Sequence, residues 1–166
     1  MSSPQPTQPS REARRARTRA QRLIEEITAT VRAMDQDGVN IGDLKIVARA
    51  LHEMRDAFAL FAPYRDTRKV ATFGSARTQR DDAIFRTAEN FARAIADAGF
   101  MVITGAGGGI MEACQRGAGR ERSFGVNIRL PFEQEPNEFI IKDPKLTTFR
   151  YFFARKLMFI DRKSVV

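Results

Sequence analysis

Apolar residues recur along this chain with two different periods. In the first third they step by three or four: Leu23, Ile27, Val31 and Met34, then Leu44, Val47, Leu51, Met54, Phe58 and Phe61. That spacing puts each set on one side of an α-helix and predicts helices from Arg11 to about Met34 and from Asp43 to Phe61. Asp35–Gly42, with its Asp37-Gly38 pair, breaks the pattern, and Pro63 stops the second helix. The two helices read as a hairpin. The Leu44–Phe61 stripe needs cover, from the rest of the chain or from a second subunit, so a homodimer or larger assembly is expected. His52 lies off the stripe and reads as an exposed helix residue.

From Lys69 onward, short apolar runs alternate with amphipathic stretches. Lys69–Phe73 (KVATF), Phe100–Ile103 and Ser123–Leu130 (SFGVNIRL) have strand character. Between the first two lies a helix that Asp81 or Asp82 can cap, with Ile84, Ala88, Phe91 and Ile95 on its apolar face and Gly99 at its end. A second helix runs from Ile110 to about Gly117. Beyond the third strand come a loop, Pro131–Asn137, a short extended piece, Glu138–Lys142, and a helix opened by Thr147 or Thr148. Lys163–Val166 reads as the start of another strand. This alternation predicts an α/β fold, a Rossmann-like parallel sheet with helices on both faces, preceded by an N-terminal helical extension. The expected divisions are a disordered basic arm (1–20), the helical extension (21–66) and the Rossmann-like nucleotide-binding domain (67–166). Ligands of such sheets sit outside the carboxyl ends of the strands, so Gly74–Arg77, Gly105–Gly109 and Pro131–Asn137 are expected to converge.

The central loop carries the clearest chemistry. Gly105, Gly107, Gly108 and Gly109 stand between a strand and a helix start. The first N–H groups of a helix lack internal partners, and glycine lets backbone approach an anion closely, so this turn predicts a phosphate cradle. The spacing is G-x-G-G-G. Ile110 stands where a dinucleotide fingerprint has its third glycine, and no Lys-Ser/Thr pair follows as in a Walker A loop. A βα turn that binds nothing is the alternative.

Composition narrows the field without naming a substrate. The 166 residues are 43% apolar and 29% charged, with a net charge of +8, and no apolar run approaches a membrane span. No secretory signal is apparent, and the single cysteine, Cys114, suits a cytoplasmic setting. One His and one Cys leave no soft-metal cluster, so neither metal nor cofactor is expected. The excess positive charge is concentrated between Arg11 and Arg22, where Glu12 is the one acid. No aromatic residue interleaves it, so nucleic acid is not expected as a partner beyond weak contact through this arm.

Four segments, taken in order, carry a family resemblance. FGSAR (Phe73–Arg77), ITGAGGGIMEA (Ile103–Ala113), NIRLPFEQEPN (Asn127–Asn137) and YFFARKLMF (Tyr151–Phe159) resemble the LOG family, the cytokinin riboside 5′-monophosphate phosphoribohydrolases, in its longer bacterial subgroup. The family usually has glycine where Ala106 stands. The resemblance implies hydrolysis of the N-glycosidic bond of an AMP-like nucleoside 5′-monophosphate, giving free base and ribose 5-phosphate. It implies Arg155 as the catalytic arginine, with the phosphate on Gly105, Gly107, Gly108 and Gly109. Ser75, Arg77, Glu112 and Lys156 are then substrate-binding candidates. Each has a plainer reading: a turn role for Ser75 and Arg77, a favourable charge at a helix start for Glu112, and a solvated helix edge for Arg155 and Lys156. The family's second signature, P-G-G-x-G-T-x-x-E, is not among the 166 residues. The domain is therefore expected to be incomplete at its C-terminus, and little catalysis is expected from these residues alone. Two rivals remain: a non-catalytic nucleotide-binding module of the same fold, and an RNA-associated protein acting through the basic arm.

Overall fold

A computed structural model describes residues 11–130 and 135–162. The chain divides into two compact units, one ending at Ala48 and the other beginning at Arg49. This boundary lies inside the second helix. In the first unit, α1 spans Arg11–Gln36. Arg11–Ala20, assigned above to a disordered arm, is therefore the first part of a helix; alanine and arginine are strong helix formers and Pro is absent from it. Residues 1–10 lie outside the described residues. After the Asp37-Gly38 turn, Asn40 opens α2 (Ile41–Phe61). Its side-chain oxygen accepts from the N–H groups of Gly42 (2.8 Å) and Asp43 (3.1 Å), satisfying two of the donors that a helix start leaves free.

The second unit is built on four parallel strands in the order β1-β2-β3-β4: β1 (Lys69–Ala71), β2 (Met101–Thr104), β3 (Ser123–Ile128) and β4 (Leu146–Phe149). This is the expected α/β, Rossmann-like arrangement. β2 is buried from end to end, as a central parallel strand must be. Its side chains alternate between two cores. Met101 and Ile103 join Phe124, Val126 and Phe149 under Ala57 and Phe61 of α2 and Ala154, Met158 and Phe159 of α5 (Phe152–Arg162). Val102 faces Ala92 of α3 (Ala83–Asp97) and Cys114 and Ala118 of α4 (Ile110–Ala118).

Several elements differ from expectation. β4 lies where Thr147 or Thr148 was to open a helix; β-branched residues at a helix start and in a strand look alike until β3 supplies the pairing. α5 begins at Phe152 instead. Glu138–Lys142 is not extended. It folds as turns, with the Asn137 carbonyl accepting from Ile140 and Ile141 and Lys142 at φ 59°. Leu51 and Phe58 are exposed, and the buried face of α2 in this unit is Ala50, Glu53, Ala57 and Phe61. α3 is rotated in the same way. Phe85 and Ala92 are buried, whereas Ile84 and Phe91 are exposed along an open groove beside β1, the edge strand. The rotation follows from α4 packing very closely on α3. At Gly117 any Cβ would overlap the backbone of Glu89, so small residues rather than large ones fill the seam.

Burial pushes the Cys114 thiol above its usual range. Iodoacetamide is expected to alkylate it slowly in the native protein and rapidly in concentrated guanidinium. Equal rates in the two conditions would show that the α3–α4 seam is open.

Candidate functional site

The glycine loop is held from three sides. Thr104 ends β2, and its hydroxyl accepts from the Ala106 N–H at 3.0 Å. Ala106 then takes φ 65°, the left-handed region, which explains why glycine suits that place. Ser75, after β1, accepts the Ile110 N–H on its carbonyl oxygen at 3.0 Å, which fixes the start of α4. Asn137 binds the far side. Its backbone N–H donates to the Ala106 carbonyl at 2.9 Å, and its Nδ2 donates to the Gly107 carbonyl (2.8 Å) and to Oε1 of buried Gln115 (2.6 Å). Gln115 in turn donates to the Phe124 carbonyl of β3. The loops after β1 and β2 and the end of the loop after β3 thus meet at one edge; Pro131–Gln134 lie outside the described residues.

The carbonyls of Ala106 and Gly107 are occupied in this way. Among the described residues, no acceptor takes the N–H of Gly107, Gly108 or Gly109. Gly109 is the N-cap of α4 at φ 62°, and a Cβ there would overlap the Ser75 carbonyl. Gly108 is different. A Cβ there would find ordinary van der Waals room, 3.5 Å from the Ala76 oxygen and 3.9 Å from Glu112 Oε2. Gly108 and Gly109 therefore do separate jobs, and of the loop's four glycines Gly108 is the one partly open to solvent.

Arg155, in the second turn of α5, is anchored by Nε to the Val126 carbonyl at 2.8 Å and lies 5.3 Å from the Phe159 ring centroid. Its Nη2 would be 2.5 Å from a Cβ on Gly105, so the guanidinium closes against the glycine loop. Burial lowers its pKa from the ordinary value, and no carboxylate among the described residues pairs with it. A half-buried cation without a counter-ion favours an incoming anion. Lys156 is exposed next to it, and with Phe73, Phe152, Phe153 and Phe159 the pair lines an open cleft of about 420 Å³.

The remaining sequence candidates are placed as follows. Ser75 Oγ accepts from the Arg77 N–H at 3.1 Å, a turn contact, while the Arg77 side chain is exposed. Glu112 is buried in the first turn of α4, beside Gly108. It is paired by a residue the sequence did not single out: Arg80 Nε donates to Glu112 Oε1 at 2.7 Å, and Arg80 Nη2 reaches Glu138 Oε1 at 2.7 Å. Hydrogen bonding to Glu112, then to Glu138, raises the Arg80 pKa further. A second omission is Glu53. From α2 its carboxylate accepts from the N–H groups of Arg150 (2.9 Å) and Tyr151 (3.4 Å), just ahead of α5. The only sequence signal for it was a charge at helical spacing between apolar residues. Asn137 and Gln115 carried no periodic signal at all.

A parallel sheet with a glycine turn that opens a helix at its carboxyl edge is the architecture of the Rossmann-like nucleotide-binding class. Residues 67–147 match a family model described as the SLOG cluster4 family, in a superfamily that includes LOG-type proteins. The match spans β1, β2, β3, the glycine loop and the Arg80–Glu112–Glu138 cluster, and stops ahead of Arg155. No curated protein matches the chain. No helix among the described residues is long and apolar enough to cross a membrane.

Proposed function

We propose that the second unit binds a nucleoside 5′-monophosphate, with the chemistry of a phosphoribohydrolase. The observation that supports this most is the pairing of unoccupied N–H groups at Gly107–Gly109 with the half-buried Arg155 guanidinium at the same loop. The 5′-phosphate would rest on the α4 N-terminus and take charge-assisted hydrogen bonds from Arg155. The aromatic cleft beside Arg155 suits a planar base, and Lys156 lies at its rim. Hydrolysis would add water across the N-glycosidic bond, releasing the base and leaving ribose 5-phosphate. The ribose gains positive charge as the bond breaks, and a carboxylate must face it. Glu112 is the described carboxylate at the loop, and its charge is already paired with Arg80. Weak turnover is therefore expected beside clear binding.

Titration calorimetry with AMP, ribose 5-phosphate and adenosine tests the reading. AMP and ribose 5-phosphate are expected to bind at least about tenfold more tightly than adenosine, and Arg155→Ala is expected to remove about tenfold from the AMP affinity, the scale of one charge-assisted hydrogen bond. Equal affinity for AMP and adenosine rejects the phosphate cradle. Chromatographic measurement of adenine released from AMP tests the hydrolytic step separately.

A further inference from the structure

We infer that Arg80 is a positioning residue that aims Glu112 at the sugar and so sets a preference for ribose over sugars lacking the vicinal hydroxyls; this rests on the nucleotide reading above. Arg80 comes from the loop after β1, Glu112 from α4 and Glu138 from the turns after β3. Both close Arg80 contacts to Glu112, Nε at 2.7 Å and Nη2 at 2.6 Å, fall on one oxygen, Oε1. The other oxygen, Oε2, faces Gly108, 3.9 Å from where a Cβ on that residue would stand. Glu112 is held on a largely buried side chain (12% exposed), whereas Arg80 reaches in from solvent (57% exposed).

The two oxygens thus have separate tasks. Oε1 is consumed by the guanidinium, which also offsets a negative charge that would otherwise repel phosphate from the adjacent cradle. Oε2 keeps its lone pairs for donors on the ligand side. A sugar whose 5′-phosphate sits on Gly107–Gly109 offers two such donors, its 2′- and 3′-hydroxyls. Glu138 holds the second side of the Arg80 fork and limits its swing.

The test compares AMP with 2′,3′-dideoxyadenosine 5′-monophosphate by titration calorimetry on the full chain. Wild type is expected to prefer AMP by about tenfold, the yield of one hydrogen bond to a charged acceptor. Arg80→Ala is expected to bring the ratio to within about twofold, and Arg80→Lys, which supplies the charge without the fork, to restore part of it. If Arg80 only braces the loops, Arg80→Ala lowers both affinities by the same factor, the ratio keeps its wild-type value, and the inference is overturned. Wild type that binds both ligands equally overturns it as well, and leaves the nucleotide reading standing. Wild type that binds neither overturns the nucleotide reading itself.

Discussion

Gly109→Ala is expected to cost about 3 kcal/mol of stability and to abolish nucleotide binding, because it combines a left-handed backbone with a steric overlap that cannot relax. The N-cap of α4 sits at φ 62°, where a Cβ is disfavoured in any surroundings. The group it would strike is the Ser75 carbonyl, a backbone atom that also accepts the Ile110 N–H. Relief requires the β1 loop or the first turn of α4 to move, and either shift disperses the N–H groups of the cradle. Gly108→Ala separates the two effects. With 3.5 Å to the nearest atom, its methyl group fits the unliganded loop. Stability should stay within about 0.5 kcal/mol of wild type, while the methyl group stands in the path of an anion and weakens AMP binding. Urea denaturation beside calorimetry reads both quantities. A Gly109→Ala protein as stable as wild type would show that the close approach at Ser75 is not maintained in solution.

Glu53→Ala is expected to destabilise the second unit by about 2–3 kcal/mol, the cost of stranding part-buried donors together with a lost charge at a helix start. Its carboxylate holds Arg150 and Tyr151, so α5 begins at a fixed place and Arg155 arrives over Gly105. The Arg49 contact at 3.5 Å adds little, since Arg49 is half in solvent. Glu53→Gln keeps an acceptor of the same shape and should recover part of the loss. The denaturant midpoint reports the energy, and the Arg155-dependent share of AMP affinity reports whether α5 has shifted. If Glu53→Ala is as stable as wild type, the carboxylate is not what sets the start of α5.

How far the sequence reached depended on how local each signal was. The glycine cluster, the strand before it, the helix ends at Gly99 and Pro63 and the α/β alternation are written in neighbouring residues, where φ freedom, missing donors and side-chain period act directly. The convergence of the loops followed from the rule that ligands gather at the carboxyl edge of a parallel sheet. Arg155 and Glu112 were marked by a family resemblance, which places residues on a motif without saying what they touch.

Tertiary structure decided the rest. Leu44–Phe61 and Ile84–Ile95 each carry enough apolar residues for more than one buried face. Which face turned inward was chosen by the neighbour: α3 met α4 so closely that Ala88 and Ala92 with Gly117, rather than Ile84 and Phe91, fit the seam. Leu146–Phe149 became a strand because β3 offered it a ladder. The polar groups that shape the site, Glu53, Arg80, Gln115 and Asn137, lie far along the chain from their partners: Arg150 from Glu53, Glu112 from Arg80, and Gln115 and Ala106 from Asn137. A single hydrogen bond between distant residues leaves no period and no composition in the sequence. Its partners are defined only once the sheet has brought the loop ends together.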